Sequence, residues 1–180
     1  FQGWSMTGYM NYARRYHTSS LLSNGNVLVA GGQGYAGLTG GFISGISLSS
    51  TELYNESTGI WSLTANMTST RNSLITSTLN NGKMLAIGSN VHNSDLYDYQ
   101  TASWTLTSSM TYSGISILID GNVLVSGGQD EKASFYSAEL YNPSIDMWSI
   151  VSNMTTNRQS HTAFISELGC KYKYLYLSYL

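Results

Sequence analysis

The stretch Asn24-Gly25-Asn26-Val27-Leu28-Val29-Ala30-Gly31-Gly32 decides the fold, because the chain repeats it. Asn81-Gly82-Lys83-Met84-Leu85-Ala86-Ile87-Gly88-Ser89 is a second copy, and Asp120-Gly121-Asn122-Val123-Leu124-Val125-Ser126-Gly127-Gly128 is a third. Each opens on Asn-Gly or Asp-Gly, the residue pair that supplies the backbone of a tight hairpin turn. A short apolar run follows, too continuous for a half-exposed strand, so it reads as a strand buried on both faces. The glycines that close the run let the chain turn sharply and let a second backbone approach.

Other residues keep the same register. Trp4, Trp61, Trp104 and Trp148 are each followed six positions later by Met10, Met67, Met110 and Met154. Tyr54, Tyr97 and Tyr141 stand seven before the last three tryptophans and close the triplets Glu52-Leu53-Tyr54, Asp95-Leu96-Tyr97 and Glu139-Leu140-Tyr141. The tryptophans recur at intervals of 57, 43 and 44 residues. A unit of about 45 residues with four short strand signals is the pattern of a β-propeller blade. The strands are predicted at 17–23, 26–32, 48–54 and 59–64, then 73–79, 83–88, 94–98 and 102–107, then 114–119, 122–128, 136–141 and 146–151. No window carries helical periodicity. The repeated aromatics are read as packing between blades, with the Tyr hydroxyl and indole N–H reaching polar groups at the blade edge.

The apolar run, the glycine pair and the spaced Tyr and Trp resemble the kelch repeat. So do Met10 to Thr18 and Met154-Thr155-Thr156-Asn157-Arg158-Gln159-Ser160-His161-Thr162-Ala163, which look like the lead-in to an innermost strand of that family. The likeness runs from Trp4 to Ile165. It implies an all-β, kelch-type propeller with three full four-stranded blades and partial blades at both ends, either incomplete or closed as four. It also implies a scaffold that binds proteins or glycans through its loops. The propeller domain of galactose oxidase-like copper enzymes is similar, and a non-catalytic fragment of such an enzyme is the alternative reading.

On this reading the blades occupy 1–167, as 14–64, 71–107, 113–151 and partial strands at 1–10 and 158–167, and 168–180 is an anomalous tail. The tail holds the single cysteine, Cys170, and lacks the expected Asn-Gly and Gly-Gly signals. Residues 33–50 are an insertion that lengthens the first interval, a glycine-rich loop carrying Tyr35 and Phe42. Loops on rigid scaffolds commonly bind. Blade two has Ser89 in place of a second glycine, and Gly114 breaks the series Arg14, Arg71 and Arg158.

Eight Lys and Arg against ten Asp and Glu give a net charge of −2, which argues against electrostatic capture of nucleic acid or of an anionic membrane. No apolar run is long enough to span a membrane. The three histidines, His17, His92 and His161, and one cysteine show no metal-ligand spacing. No nucleophile elbow or paired carboxylates appear. The chain is therefore read as non-enzymatic, without cofactor or metal.

The partner-binding candidates are Arg14, Arg15, Tyr16 and His17, Arg71, Asn72 and Ser73, Arg158, Gln159, Ser160 and His161, with Tyr35 and Phe42 of the insertion. Two readings of the arginines compete. They pair with Glu52, Asp95 or Glu139 as blade-edge ion pairs, or they ring one mouth of the propeller, where guanidinium forks capture carboxylates. Asn55, Asn66 and Asn153 begin N-glycosylation acceptor triplets and lean the localisation towards secretion or the cell surface. If the ring does not close, open apolar blade faces favour self-association.

Overall fold

The computed structural model describes residues 6–34, 45–88, 92–111, 117–119, 122–129, 134–157, 161–162 and 177–178. The first repeat builds β1 (Thr18–Leu21), β2 (Val27–Ala30), β3 (Gln33–Gly34), β4 (Ile46–Ser47), β5 (Thr51–Asn55) and β6 (Ile60–Leu63). The second builds β7 (Leu74–Thr78), β8 (Met84–Gly88), β9 (Asp95–Asp98) and β10 (Ser103–Leu106). The third builds β11 (Ile117–Ile119), β12 (Val123–Ser126), β13 (Ala138–Asn142) and β14 (Met147–Val151). Three four-stranded antiparallel sheets result, ordered β1-β2-β5-β6, β7-β8-β9-β10 and β11-β12-β13-β14. All twelve strands predicted for the three full blades are present, with ends shifted by a few residues, whereas residues 6–10 of the predicted partial strand carry no strand.

The repeated turns behave as their composition demands. Gly25 and Gly82 sit at φ 84° and 81°, and Asn24 and Asn81 accept the amides of Asn26 and Lys83 at 3.1 and 3.0 Å. The apolar runs are the buried centre: all five residues of β8 are buried, and β2 buries Leu28, Val29 and Ala30. Leu28 and Ala30 share a core with Met67, Leu74, Met84, Ala86, Tyr97 and Trp104 of the following repeat. Leu85 and Ile87 face Val123, Val125 and Tyr141 of the next. Adjacent sheets therefore pack face to face, which is why the central runs are apolar on both sides.

The strand-end glycines stitch one sheet to the next. The Gly32 amide donates to the Arg71 carbonyl at 2.7 Å, and a Cβ on Gly31 would lie 2.6 Å from that same carbonyl oxygen. Gly31 also has φ 60°, so both space and backbone exclude a larger residue.

Two features differ from expectation. The insertion at 33–50 does not leave the sheet as an open loop: Gln33 pairs with Ser47 and Gly34 with Ile46, so its base is a short ladder. At the other end β15 (His161–Thr162) pairs with β16 (Leu177–Ser178), which draws part of the predicted tail into a sheet. Its alternating apolar and polar residues suit a strand. Ser89, Gly114, Trp4 and Cys170, singled out in the sequence, lie outside the described residues.

Candidate functional site

Strands alternate in direction, so the segments joining β2 to β5 and each outermost strand to the next innermost one emerge at the same end of the sheets. Isolated bridges join them there, Arg15 to Gln33 and Leu48 to Arg71. The methionine of each outer segment is tied to the preceding sheet. Met67, Met110 and Met154 amides donate to Ser49, His92 and Tyr136 carbonyls at 2.9, 2.8 and 2.7 Å.

The arginines four residues after methionine belong to the scaffold. Arg14 Nη2 lies 2.8 Å from Glu52 Oε1 and Arg71 Nη2 lies 3.0 Å from Asp95 Oδ2, with all four side chains at 0% exposure. Arg14 also donates to the Gly31 and Ser50 carbonyls at 2.9 and 2.8 Å. Arg71 donates to the Gly88 and Asn93 carbonyls at 3.0 and 2.8 Å. This corrects the placing of Arg14 and Arg71 on a contact surface. Each fork is spent on a strand carboxylate and on backbone carbonyls of the same repeat.

The carboxylates are held just as firmly. Glu52 accepts the Asn11 amide, the Asn11 side chain and the Tyr12 amide at 2.6, 2.9 and 3.0 Å. Burial pushes its carboxyl up, but the Asn11, Arg14 and Tyr12 donors outweigh this and leave it below the ordinary glutamate value. Burial pulls the Arg71 guanidinium down from its ordinary value, against the opposing pull of Asp95. Asp95 takes the Thr68 hydroxyl as well, and Glu139 takes the Thr111 amide at 2.9 Å. In all three repeats the acidic residue of the triplet receives the chain just after its methionine.

What remains at the rim is the residues immediately after those arginines. Arg15, Tyr16, His17 and Ser73 are exposed and Asn72 is half-buried. Tyr16 and Ser73 both stand six after a methionine, and both adopt left-handed backbone, φ 54° and 50°. Such conformations cost about 1–3 kcal/mol for a non-glycine residue and persist where the surroundings impose them. Here the Ser73 amide donates to the Tyr16 carbonyl at 3.0 Å, so the two rim turns are locked together. The Arg15 guanidinium lies 5.2 Å from the centre of the Tyr16 ring, a cation–π contact on a ring that is 59% exposed. Its Nε donates to Gln33 Oε1 at 3.3 Å. Among the described residues Arg15 makes no ion pair. Asn72 donates to the Ser47 hydroxyl. The His17 imidazole is held below its ordinary value by burial and by the charge of Arg14, against a hydrogen bond to the Arg14 backbone.

The described part of the predicted site is thus a rim of Arg15, Tyr16, His17, Asn72 and Ser73, extended by Gln33 and Ser47. These last two were missed in the sequence. Gln33 had a usable signal, because Gly-Gly-Gln recurs at 127–129, where Gln129 bridges to Ser134. Tyr35, Phe42, Arg158, Gln159 and Ser160 lie outside the described residues, and His161 is placed by its backbone in β15. Among the described residues no cluster of three His, Cys, Asp or Glu side chains could hold a metal ion, and no helix is long and apolar enough to cross a membrane.

Antiparallel four-stranded sheets packed through their central strands, with linking loops gathered at one end, define a β-propeller class of fold. Residues 116–155, most of the third repeat, match the family described as the Kelch motif. The match covers that repeat, and the other two carry the same residues at the same spacing. The solved structure of YjhT, a kelch-type propeller, superposes with a TM-score of 0.69 at 15% identity, over 86% of this chain and 56% of that one. The chain thus spans about half the length of that structure. No curated protein sequence matches it.

Proposed function

We propose that the chain is a non-enzymatic binding module that takes a protein or glycan partner on the loop end of its sheets, through Arg15, Tyr16, His17, Asn72 and Ser73. The observation that carries this is the pair of locked left-handed residues, Tyr16 and Ser73, at one repeat position. Strained backbone over-determined by its surroundings concentrates where side chains must be aimed. Arg15 brings a guanidinium fork free of any ion pair among the described residues, poised on an exposed aromatic face and suited to a carboxylate on the partner. Glu52 and Asp95 are committed to the scaffold, so neither supplies an acid or base at this rim. Self-association through the face of the first sheet turned away from the second accompanies the proposal, since among the described residues Tyr54 and Trp61 there are only half-buried.

The test is binding to an array of neutral and carboxylated glycans and acidic peptides, comparing the chain with its Arg15→Ala/Tyr16→Ala double variant. The expected result is selective binding of carboxylated probes that the double variant loses by at least about tenfold, as removal of an interfacial Arg and Tyr anchor does. Unaltered circular dichroism and melting would show that the scaffold is intact. Equal binding by both proteins would rule out this rim.

A further inference from the structure

Of the three glycosylation acceptor triplets, the geometry points to Asn66 and Asn153 as modified sites, with the Asn153 glycan seated in a groove of the third sheet. Both asparagines stand five after a tryptophan, and Asn66 opens the segment whose inner end, Asn72 and Ser73, belongs to the rim. Both are exposed. Each is followed by the methionine whose amide is bonded to the preceding sheet segment, through Ser49 for Met67 and Tyr136 for Met154. The backbone is therefore fixed while the asparagine stays in solvent. Asn55 differs. It is half-buried in the tight turn between β5 and β6, and its Oδ1 accepts the Thr58 amide at 3.1 Å.

The two exposed sites are not equivalent. Asn153 borders a groove of about 190 Å³ lined with Ser134, Phe135, Tyr136, Ser137 and Ile150. Tyr136 and Ile150 are 50% and 61% exposed there. Asn66 has Ser49 where Asn153 has Tyr136, so among the described residues that position offers it no aromatic wall. A pyranose ring presents an apolar face that rests favourably on an aromatic side chain. The first sugar on Asn153 would cover Tyr136 and Ile150, while the one on Asn66 would extend into solvent. The hydroxyl residues differ as well. Thr68 and Thr155 are both exposed, but the Thr68 hydroxyl is bonded to Asp95 in the folded chain, so transfer to Asn66 precedes closure of that contact.

The co-reactant is a lipid-pyrophosphate-linked oligosaccharide. A bond forms between the asparagine Nδ2 and the anomeric carbon as the bond from that carbon to the pyrophosphate oxygen breaks. The amide proton goes to a base of the transferase and the lipid pyrophosphate leaves, with no change in oxidation state.

The experiment is to secrete the full chain from glycosylating eukaryotic cells and map the sites by peptide mass spectrometry after enzymatic deglycosylation, which converts modified Asn to Asp. Asn153 and Asn66 should be modified and Asn55 should not, with occupancy highest at Asn153. On the native protein an endoglycosidase should release the Asn66 glycan at least about tenfold faster. Tyr136→Ser should equalise the two rates while circular dichroism stays unchanged. Secreted, folded protein bare at Asn153, or modified at Asn55 alone, would overturn the assignment. Equal native release rates in the parent chain would overturn the groove.

Discussion

Glu52 shows how much one side chain can hold. Its carboxylate, at 0% exposure, gathers Arg14, both donors of Asn11 and the Tyr12 amide, so one residue of β5 anchors the segment leading into β1. Removing one partner of a buried ion pair leaves the other charge uncompensated and costs about 3–5 kcal/mol. Glu52→Gln keeps the shape and one acceptor oxygen, so the expected loss is near the lower end, about 3 kcal/mol by urea denaturation. The pH dependence has a definite sign. The folded carboxyl sits below its ordinary value, so its stabilising contribution is complete above the unfolded glutamate pKa of about 4.3 and is lost as pH falls through the folded value. The parent chain should therefore lose stability on acidification below about pH 4.3, and Glu52→Gln should lose distinctly less over that range. An identical acid profile for the two proteins would mean that Glu52 is not the linked group.

At the level of elements, the Tyr–Trp pairs show what a neighbouring sheet contributes. Tyr54 faces Trp61, Tyr97 faces Trp104 and Tyr141 faces Trp148 across the third and fourth strands of each sheet, with ring centroids 5.1, 5.0 and 5.0 Å apart. The pair geometry is constant and its surroundings are not. Trp104 donates to Thr51 of the first sheet at 3.3 Å, and Trp148 to Ser94 of the second at 3.2 Å. The Tyr97 hydroxyl meets Thr64 of the first sheet at 2.9 Å. Tyr141 bonds to Asp146 at 2.9 Å, and burial together with Asp146 pushes its hydroxyl up to about 12. Among the described residues Trp61 has no acceptor, and Tyr54 and Trp61 are only half-buried where Tyr97 and Tyr141 are fully buried. Replacing Trp104 by Phe removes a satisfied donor, whereas Trp61→Phe removes an unsatisfied one. Trp104→Phe should then cost about 1–2 kcal/mol more than Trp61→Phe in denaturant midpoints converted at a common slope. Equal costs would mean that the indole hydrogen bond contributes nothing to joining the sheets.

At the scale of the whole molecule, the same observation bears on assembly. The half-covered Tyr54–Trp61 pair marks a sheet face that gains from burial against another surface. The proposed self-association should appear in light scattering as a mass that rises above 19.7 kDa with concentration. A constant monomer mass over a hundredfold dilution series would remove it. The rim of Arg15, Tyr16 and Ser73 lies at the loop end of the sheets rather than on that flank, so its binding should not depend on concentration in the same way.

The amino-acid sequence by itself determined the repeat, the four strands of each sheet and the turns between them. Their causes are local: Asn-Gly geometry, continuous apolar runs and the fixed spacing of Tyr, Trp and Met act within a few residues. The competition between two roles for Arg14 and Arg71 was decided by tertiary structure alone. Their carboxylates stand 38 and 24 positions away, and only strand pairing brings Glu52 and Asp95 to them as buried partners. The rim was half legible, since Arg15, Tyr16 and Ser73 stand out by their register. Their left-handed backbone, the bond between the two turns and the part played by Gln33 and Ser47 arise only when separate repeats come side by side. A period along the chain dictates which residues are equivalent, and packing between sheets dictates which of those equivalent residues are buried and which are left to bind.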